Sequence, residues 1–114
     1  MNNLTEYEKN RILTESLINK KVYCALLGDN EITNSDYKRV EISFEKPKNG
    51  QTYNNKDIEF PIANSNWGDI KKIAIFDSVT SGNKMWESEP EVVKSIGEAS
   101  QYKIPIGYMI VRLR

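Results

Sequence analysis

Histidine is absent from all 114 residues, and cysteine occurs once, as Cys24. The first absence removes the commonest general base and the commonest metal ligand. The second excludes an internal disulfide, so no covalent staple holds the fold. With no histidine to activate it, and set in an apolar stretch, Cys24 reads as a buried structural thiol. Long apolar runs are missing as well. None approaches the roughly 20 residues that a membrane-spanning helix needs. No apolar core follows a basic start, so no signal peptide is expected. Asn3-Leu4-Thr5 matches a glycosylation sequon that, without a secretory signal, is read as coincidence. Net charge is also lacking: 16 Lys plus Arg balance 16 Asp plus Glu. That balance argues against a long-range basic field for nucleic acid and leaves little repulsion against self-association. Phosphate-loop, dinucleotide, HExxH and paired CxxC signatures are all absent. No cofactor and no metal are therefore expected, and synthesis in a cytoplasm is the simplest setting.

What remains is a pattern of short apolar segments divided by turn residues. The length argues for one domain over residues 1–114, able to bury roughly two thirds of its unfolded surface. Residues 4–18 predict a helix. Thr5 and Glu8 fit a capping box, an apolar stripe runs through Leu4, Tyr7, Ile12, Leu13, Leu17 and Ile18, and Asn19-Lys20-Lys21 suits a C-terminus. Val22–Leu27 is apolar at both parities and predicts a strand buried on both faces, stopped by Gly28-Asp29-Asn30. Tyr37–Phe44 alternates, with Val40, Ile42 and Phe44 on one side and Arg39, Glu41 and Ser43 on the other, the mark of a half-buried strand. Asn49-Gly50 is a strong hairpin signal. Gln51–Asn55 reads as a weak edge strand and Asp57–Phe60 as a short strand with Ile58 and Phe60 on one side. Lys71–Asp77, built on Ile73-Ala74-Ile75-Phe76, is the central strand around which the others pair. Ser81-Gly82-Asn83 predicts a second hairpin turn before Lys84–Glu87, and Glu91–Ile96 and Ile104–Leu113 complete the set, with strands running from about 22 to 113. The expected fold is mainly β: a single antiparallel β-sandwich-like domain with one N-terminal helix.

Three constellations bear on chemistry. Glu87, Glu89 and Glu91, spaced by two, share a face in an extended segment and suit a hard cation. Pro90 interrupts them, and a charged, solvated strand edge is the plainer account. Lys46, Lys48, Lys71 and Lys72 with Tyr53 and Trp67 suggest a basic-aromatic surface for nucleic acid or sugar, against which the zero net charge counts. Trp67 and Trp86 suit the core or an interface. No pair of acids stands out for glycosidase-type catalysis.

The order of motifs resembles a family of small bacteriophage virion proteins, commonly labelled phage tail fibre or minor structural proteins. Arg11–Ile18 stands where the family has an LLDHLL-like helical segment. Val22-Tyr23-Cys24-Ala25-Leu26-Leu27 and then Asp29 match a VYVALxxxDP strand. Asp36–Phe44 matches GGYARVxVxF, with Ser35 and Asp36 in place of the glycines. Ile58, Phe60-Pro61, Ala63, Trp67-Gly68, Ile70, Ile75-Phe76-Asp77 and Gly82-Asn83 match a longer block, IxFPxAxxxWGxVxxxxIFDAxxGGN. A family Ala-Gly-Asp piece has a faint counterpart around Ile96-Gly97-Glu98. These motifs read as fold determinants with no catalytic residue among them. The resemblance implies a non-enzymatic structural component of a phage particle, tail- or fibre-associated or at a head surface or connector. It would be made in the host bacterial cytoplasm and located in the virion. Its partners would be other phage structural proteins and further copies of itself, with no direct nucleic acid and no membrane. Because Trp, Tyr and Arg dominate interface energetics, Tyr37, Arg39, Trp67 and Trp86 are the residues expected at contacts. The alternative is a carbohydrate- or host-surface-binding module of an adhesion device, with an exposed Trp or Tyr platform.

Overall fold

The computed structural model describes residues 3–113. The chain begins with helix α1, Glu6–Leu13, capped by Thr5, whose hydroxyl accepts from the Glu8 N–H at 3.2 Å. The reciprocal half of the expected capping box is not made. The Glu8 carboxylate turns instead to Arg11, one turn along. From Thr14 to Ile18 the helix widens to a π-helical stretch that ends at Asn19. At the changeover the Thr14 hydroxyl donates to the Asn10 carbonyl at 2.8 Å, competing with the backbone for that acceptor. Leu13 and Leu17, four residues apart on one face, are the buried side chains of this segment.

Among the described residues ten short strands follow, and their pairings are antiparallel. They are β1 Val22–Leu27, β2 Val40–Ile42, β3 Gln51–Tyr53, β4 Ile58–Glu59, β5 Gly68–Ile70, β6 Lys72–Phe76, β7 Lys84–Ser88, β8 Lys94–Ile96, β9 Lys103–Ile104 and β10 Ile110–Arg112. Four form one sheet in the order β2-β1-β6-β7, and the rest form the ladders β10-β3, β4-β9 and β5-β8. The chain is thus mainly β, as its turn-punctuated apolar runs predict. Its two most apolar strands, β1 and β6, lie at the sheet centre in the register Cys24↔Ile75 and Ala25↔Ala74. One face of the pair, with Val22, Cys24, Leu26 and Ile75, enters the main core beside Leu13, Leu17, Ile58, Phe60 and Ile70. The opposite face carries a smaller cluster of Ala25, Leu27 and Ala74 with Phe76 packed against it. That is why β1 is apolar at both parities.

The structure differs from the sequence expectation in several places. The Tyr37–Phe44 strand contracts to β2, with Phe44 making an isolated bridge to Asn54. Arg39 belongs to the side expected to face solvent, yet it is buried, its guanidinium bonded to Glu31 and to main-chain carbonyls of residues 78 and 81. Gln51–Asn55 is not a weak edge. β3 pairs with β10 on one side, and on the other its chain meets residues 44–48 through Glu45 N–H to the Tyr53 carbonyl and mutual bonds between Lys48 and Gln51. Thr52 and Asn54 are buried there because their side chains bond backbone: Thr52 donates to the Glu45 carbonyl, and Asn54 donates to the Lys56 and Pro105 carbonyls and accepts from Met109 N–H. The expected Ile104–Leu113 strand is split into β9 and β10 by a turn at Pro105–Tyr108. The eighth strand starts at Lys94, three residues later than expected.

Both hairpin turns are present. Asn49 and Gly50 have φ of 55° and 75°, the left-handed pair of a type I′ turn. Ser81 and Gly82 have φ of 55° and 74°, and the Asp77 N–H reaches the Asn83 carbonyl across the loop. Gly82 is doubly constrained: a Cβ there would lie 2.5 Å from Asp77 Oδ1 and 2.7 Å from Ser78 Cβ. Asp77 Oδ1 has little freedom to retreat, since it accepts from the Asn83 N–H at 2.7 Å. Gly107 has the same backbone handedness, at φ 83°, with nothing within 4 Å of its Cβ direction. Gly107→Ala is expected to cost about 1–2 kcal/mol, the left-handed strain alone. Gly82→Ala is expected to exceed it by at least about 1 kcal/mol because the clash adds to the strain. Urea unfolding of the two variants measures the difference; equal losses would show that the Asp77 loop relaxes freely.

A buried arginine and two anchored loops as the candidate functional site

Where β1 ends, Gly28 N–H bonds the Asn30 carbonyl and Leu27 bridges Glu31, so the chain doubles back at once. This places the Glu31 carboxylate beside Arg39, which precedes β2. The pair is bidentate: Arg39 Nε donates to Glu31 Oε2 at 2.9 Å and Nη2 to Oε1 at 2.8 Å. Arg39 Nη1 donates to the Ser78 carbonyl at 2.9 Å and the Ser81 carbonyl at 2.7 Å, both in the β6–β7 turn. The guanidinium lies 3.7 Å above the Phe76 ring. Its side chain is 7% exposed and that of Glu31 26%. Tyr37 extends the network, its hydroxyl donating to Glu31 Oε2 at 2.7 Å and accepting from Leu26 N–H at 3.1 Å.

A second anchor lies alongside. One oxygen of Asp36 accepts from the Asn64 N–H at 2.6 Å and the Trp67 indole Nε1 at 3.0 Å, and the other accepts from the Ser65 hydroxyl at 2.9 Å. Asn34 donates to Ser65 Oγ and to the Asn66 carbonyl. The loop before Trp67 is thereby tied to the loop before β2. Aromatic packing runs through the same region. Tyr37 meets Trp67 edge-on with centroids 5.5 Å apart and stacks on Phe60 at 6.2 Å, and Phe60 meets Tyr102 edge-on.

These contacts set the electrostatics. The hydrogen bond from Arg39, with a smaller one from Tyr37, holds the Glu31 carboxyl below its ordinary range against the opposing effect of desolvation. Partial desolvation pushes the Asp36 carboxyl up, but the bonds from Asn64, Ser65 and Trp67 outweigh it and leave it lowered. Burial pushes the Tyr37 hydroxyl up, reinforced by its bond to Glu31. Burial alone pushes the Cys24 thiol up, away from the reactive thiolate. A wide-open cleft of about 370 Å³ borders the site, lined in part by Asp29, Glu31, Asn34, Trp67, Asp69 and Lys71. Among its charges Lys71 is engaged with Asp29 at 3.1 Å and Glu31 with Arg39. This is the chemistry of a clamp: Glu31 is held ionised and is not poised to give or take a proton near neutral pH.

Of the four side chains expected at subunit contacts, the structure brings Tyr37, Arg39 and Trp67 together, within the chain's own fold. Trp67 is 5% exposed. Trp86 stands apart, half-buried on β7 with Ile75 opposite. The basic-aromatic set does not form a stacking surface around Trp67, because that ring is buried and Lys71 and Lys72 pair with Asp29 and Glu87. Glu87 bonds Lys72 and Lys84, and among the described residues no cluster is arranged for a metal. Sequence reasoning missed Glu31 and the anchoring role of Asp36. The available signal for Asp36 was its place where the resembled motif has glycine. A gain of side chain there accompanies the grip on Trp67.

Residues 25–112 match the family model described as Podophage GP4 fiber I protein gp80. The matched span runs from within β1 to the end of β10, so it contains both anchors and leaves α1 outside. No curated protein matches the chain.

The pH dependence follows from Glu31. A carboxyl lowered by folding stabilises fully above its ordinary value of about 4.5 and loses that contribution as pH falls through its folded value. Glu31→Gln is expected to destabilise the protein by about 2 kcal/mol. That lies below the range for a fully buried pair, because water reaches the carboxylate. The variant should also flatten the acid limb of the stability curve below pH 4.5. Thermal unfolding of both proteins across acid pH checks it; parallel curves would remove Glu31 from the acid response.

Proposed function

The chain belongs to the Podophage GP4 fiber I protein gp80 family, and from that premise we propose that it is a non-enzymatic structural subunit that works in the virion through contacts with neighbouring phage proteins. Membership itself makes it a phage structural protein of the fibre type. The observation that carries the finer reading is the extent of the match, from β1 to β10. It is supported by the site chemistry, where the charged and aromatic groups are committed to holding loops together. In this reading residues 1–114 act as one domain. Tyr37, Arg39 and Trp67 serve contacts indirectly by fixing the loops that meet solvent. Trp86, on the terminal strand of the main sheet, is the direct contact among the four.

Mass spectrometry of purified particles of the encoding phage, separated into heads and tails, tests the role. Stoichiometric protein in one fraction is the expected result; protein present in infected cells but in neither fraction would sink it. Trp86→Ala is expected to lower incorporation about fivefold or more, equivalent to about 1 kcal/mol of contact energy. Circular dichroism of the purified variant separates that loss from misfolding.

A further inference from the structure

Of the asparagines in the chain, Asn49 alone is followed by glycine. Asparagine is thermolabile, because the nitrogen of the next residue, once deprotonated, attacks its side-chain carbonyl carbon. Glycine hinders that attack least, having no side chain. Asn49 is exposed, so water reaches its amide, while Gly50 is buried. The Gly50 residue is held from three directions. Its N–H donates to Asn10 Oδ1 of α1 at 2.9 Å. Its carbonyl accepts from Leu113 N–H at 2.9 Å. Lys9 of α1 covers it, with Cδ 3.1 Å from where a Cβ would stand. Across the turn, Lys48 and Gln51 exchange main-chain bonds at 2.9 and 3.2 Å.

We propose that Asn49 is a site of spontaneous deamidation that α1 holds closed through Asn10. In the reaction the Gly50 nitrogen loses its proton to hydroxide and attacks Asn49 Cγ. The new N–C bond closes a five-membered imide, and Nδ2 leaves as ammonia. Water then opens the imide at either carbonyl. The product is aspartate or, with the main chain lengthened by one carbon, isoaspartate. The closed turn opposes this in two ways. A type I′ turn has ψ of about +30° at its first central residue, which sets Cβ and the next nitrogen nearly anti across the Cα–C bond. Ring closure needs them eclipsed. Deprotonation would also leave an anionic nitrogen facing Asn10 Oδ1, lone pair against lone pair. The reaction therefore runs from an opened turn, and its rate reads how firmly α1 closes the hairpin. Isoaspartate would lengthen the loop and break the Lys48–Gln51 register from which β3 begins. α1 lies outside the span that matches the family, so the closure of Asn49 goes beyond the structural-subunit reading and stands independently of it.

Ageing the purified full chain at mildly alkaline pH tests this, with amide-to-acid conversion read by intact mass and located by peptide mapping. Unfolded in urea, the wild-type chain is expected to convert first at Asn49, to a mixture of aspartate and isoaspartate. The native protein is expected to convert there at least about tenfold more slowly, since only the opened turn reacts. Asn10→Ala should raise the native rate about fivefold, the worth of one amide hydrogen bond, and leave the rate in urea unchanged. Asn10→Asp keeps an acceptor for the Gly50 N–H and should stay at the wild-type rate or below. It separates loss of the bond from a general loosening of α1. First conversion at another asparagine in urea, such as Asn64 before Ser65, overturns the site. Native and unfolded rates that coincide overturn the closure, as does an Asn10→Ala rate equal to the wild type, or Ala and Asp variants that accelerate alike. The Asp variant and the wild-type comparison decide the outcome even where Asn10→Ala does not fold.

Discussion

The structure depends on one buried cation. Removing a guanidinium from water costs several kcal/mol unless its charge is paired and its N–H groups are bonded. Arg39 meets both conditions by drawing in three separate segments: Glu31 from the turn after β1, the Ser78 and Ser81 carbonyls from the β6–β7 turn, and Phe76 beneath. Losing Glu31 leaves the charge unpaired, and displacing the turn carbonyls leaves Nη1 unbonded. The coordinates of the two turns are therefore coupled to one side chain. Lys in its place has a single ammonium and cannot match the bidentate carboxylate while reaching both carbonyls. Tyr37 carries the constraint inward, linking Glu31 to the Leu26 backbone and its ring to Trp67 and Phe60. Surface loops and main core are joined along this line.

Much of the architecture was legible because it is local. Val22–Leu27 and Ile73–Phe76 are apolar without alternation, which is what the two central strands require. Asn49-Gly50 and Ser81-Gly82 supply the left-handed residues that the hairpins need. Arg39 was misread for a definite reason. A period of two assigns it to the face of Glu41, but it cannot reveal that loops fold over one end of that face. Gln51–Asn55 looked like an edge because its residues are polar. Thr52 and Asn54 are buried because their side chains satisfy backbone groups at Glu45, Lys56, Pro105 and Met109, partners distant in sequence. The Trp67–Asp36 bond spans 31 positions and leaves no periodic trace. Pattern reading finds elements and their inward faces. It does not find polar junctions made by residues that happen to meet.

The same distinction explains the candidate site. Tyr37, Arg39 and Trp67 were selected as contact residues by type, since such side chains dominate interfaces. The properties that suit an interface, large area with a polar handle, also suit the interior of a small domain whose loops need fixing. Composition cannot separate the two uses; the bonding partners show the use these side chains have within the chain. With the Arg39 donors occupied and the Trp67 indole bonded to Asp36, these groups have little left to offer another molecule.

What these committed side chains leave exposed is largely apolar surface, as at Tyr7, Tyr108, Ile110 and Val92. Its charges cancel overall, and locally many are paired across short distances, as Lys71 with Asp29 and Lys72 with Glu87. A surface of that kind generates no field extending much beyond a Debye length of about 8 Å at physiological ionic strength. Recognition must then come from shape, strand edges and exposed aromatic side chains, all of which act at contact. Such contacts are weak singly and gain strength when many copies are held in register. A neutral, internally clamped β domain is suited to that regime. Its loops are tied by side-chain bonds, so little conformational freedom would be lost in any contact they made, and its lack of net charge would leave such a contact little affected by ionic strength.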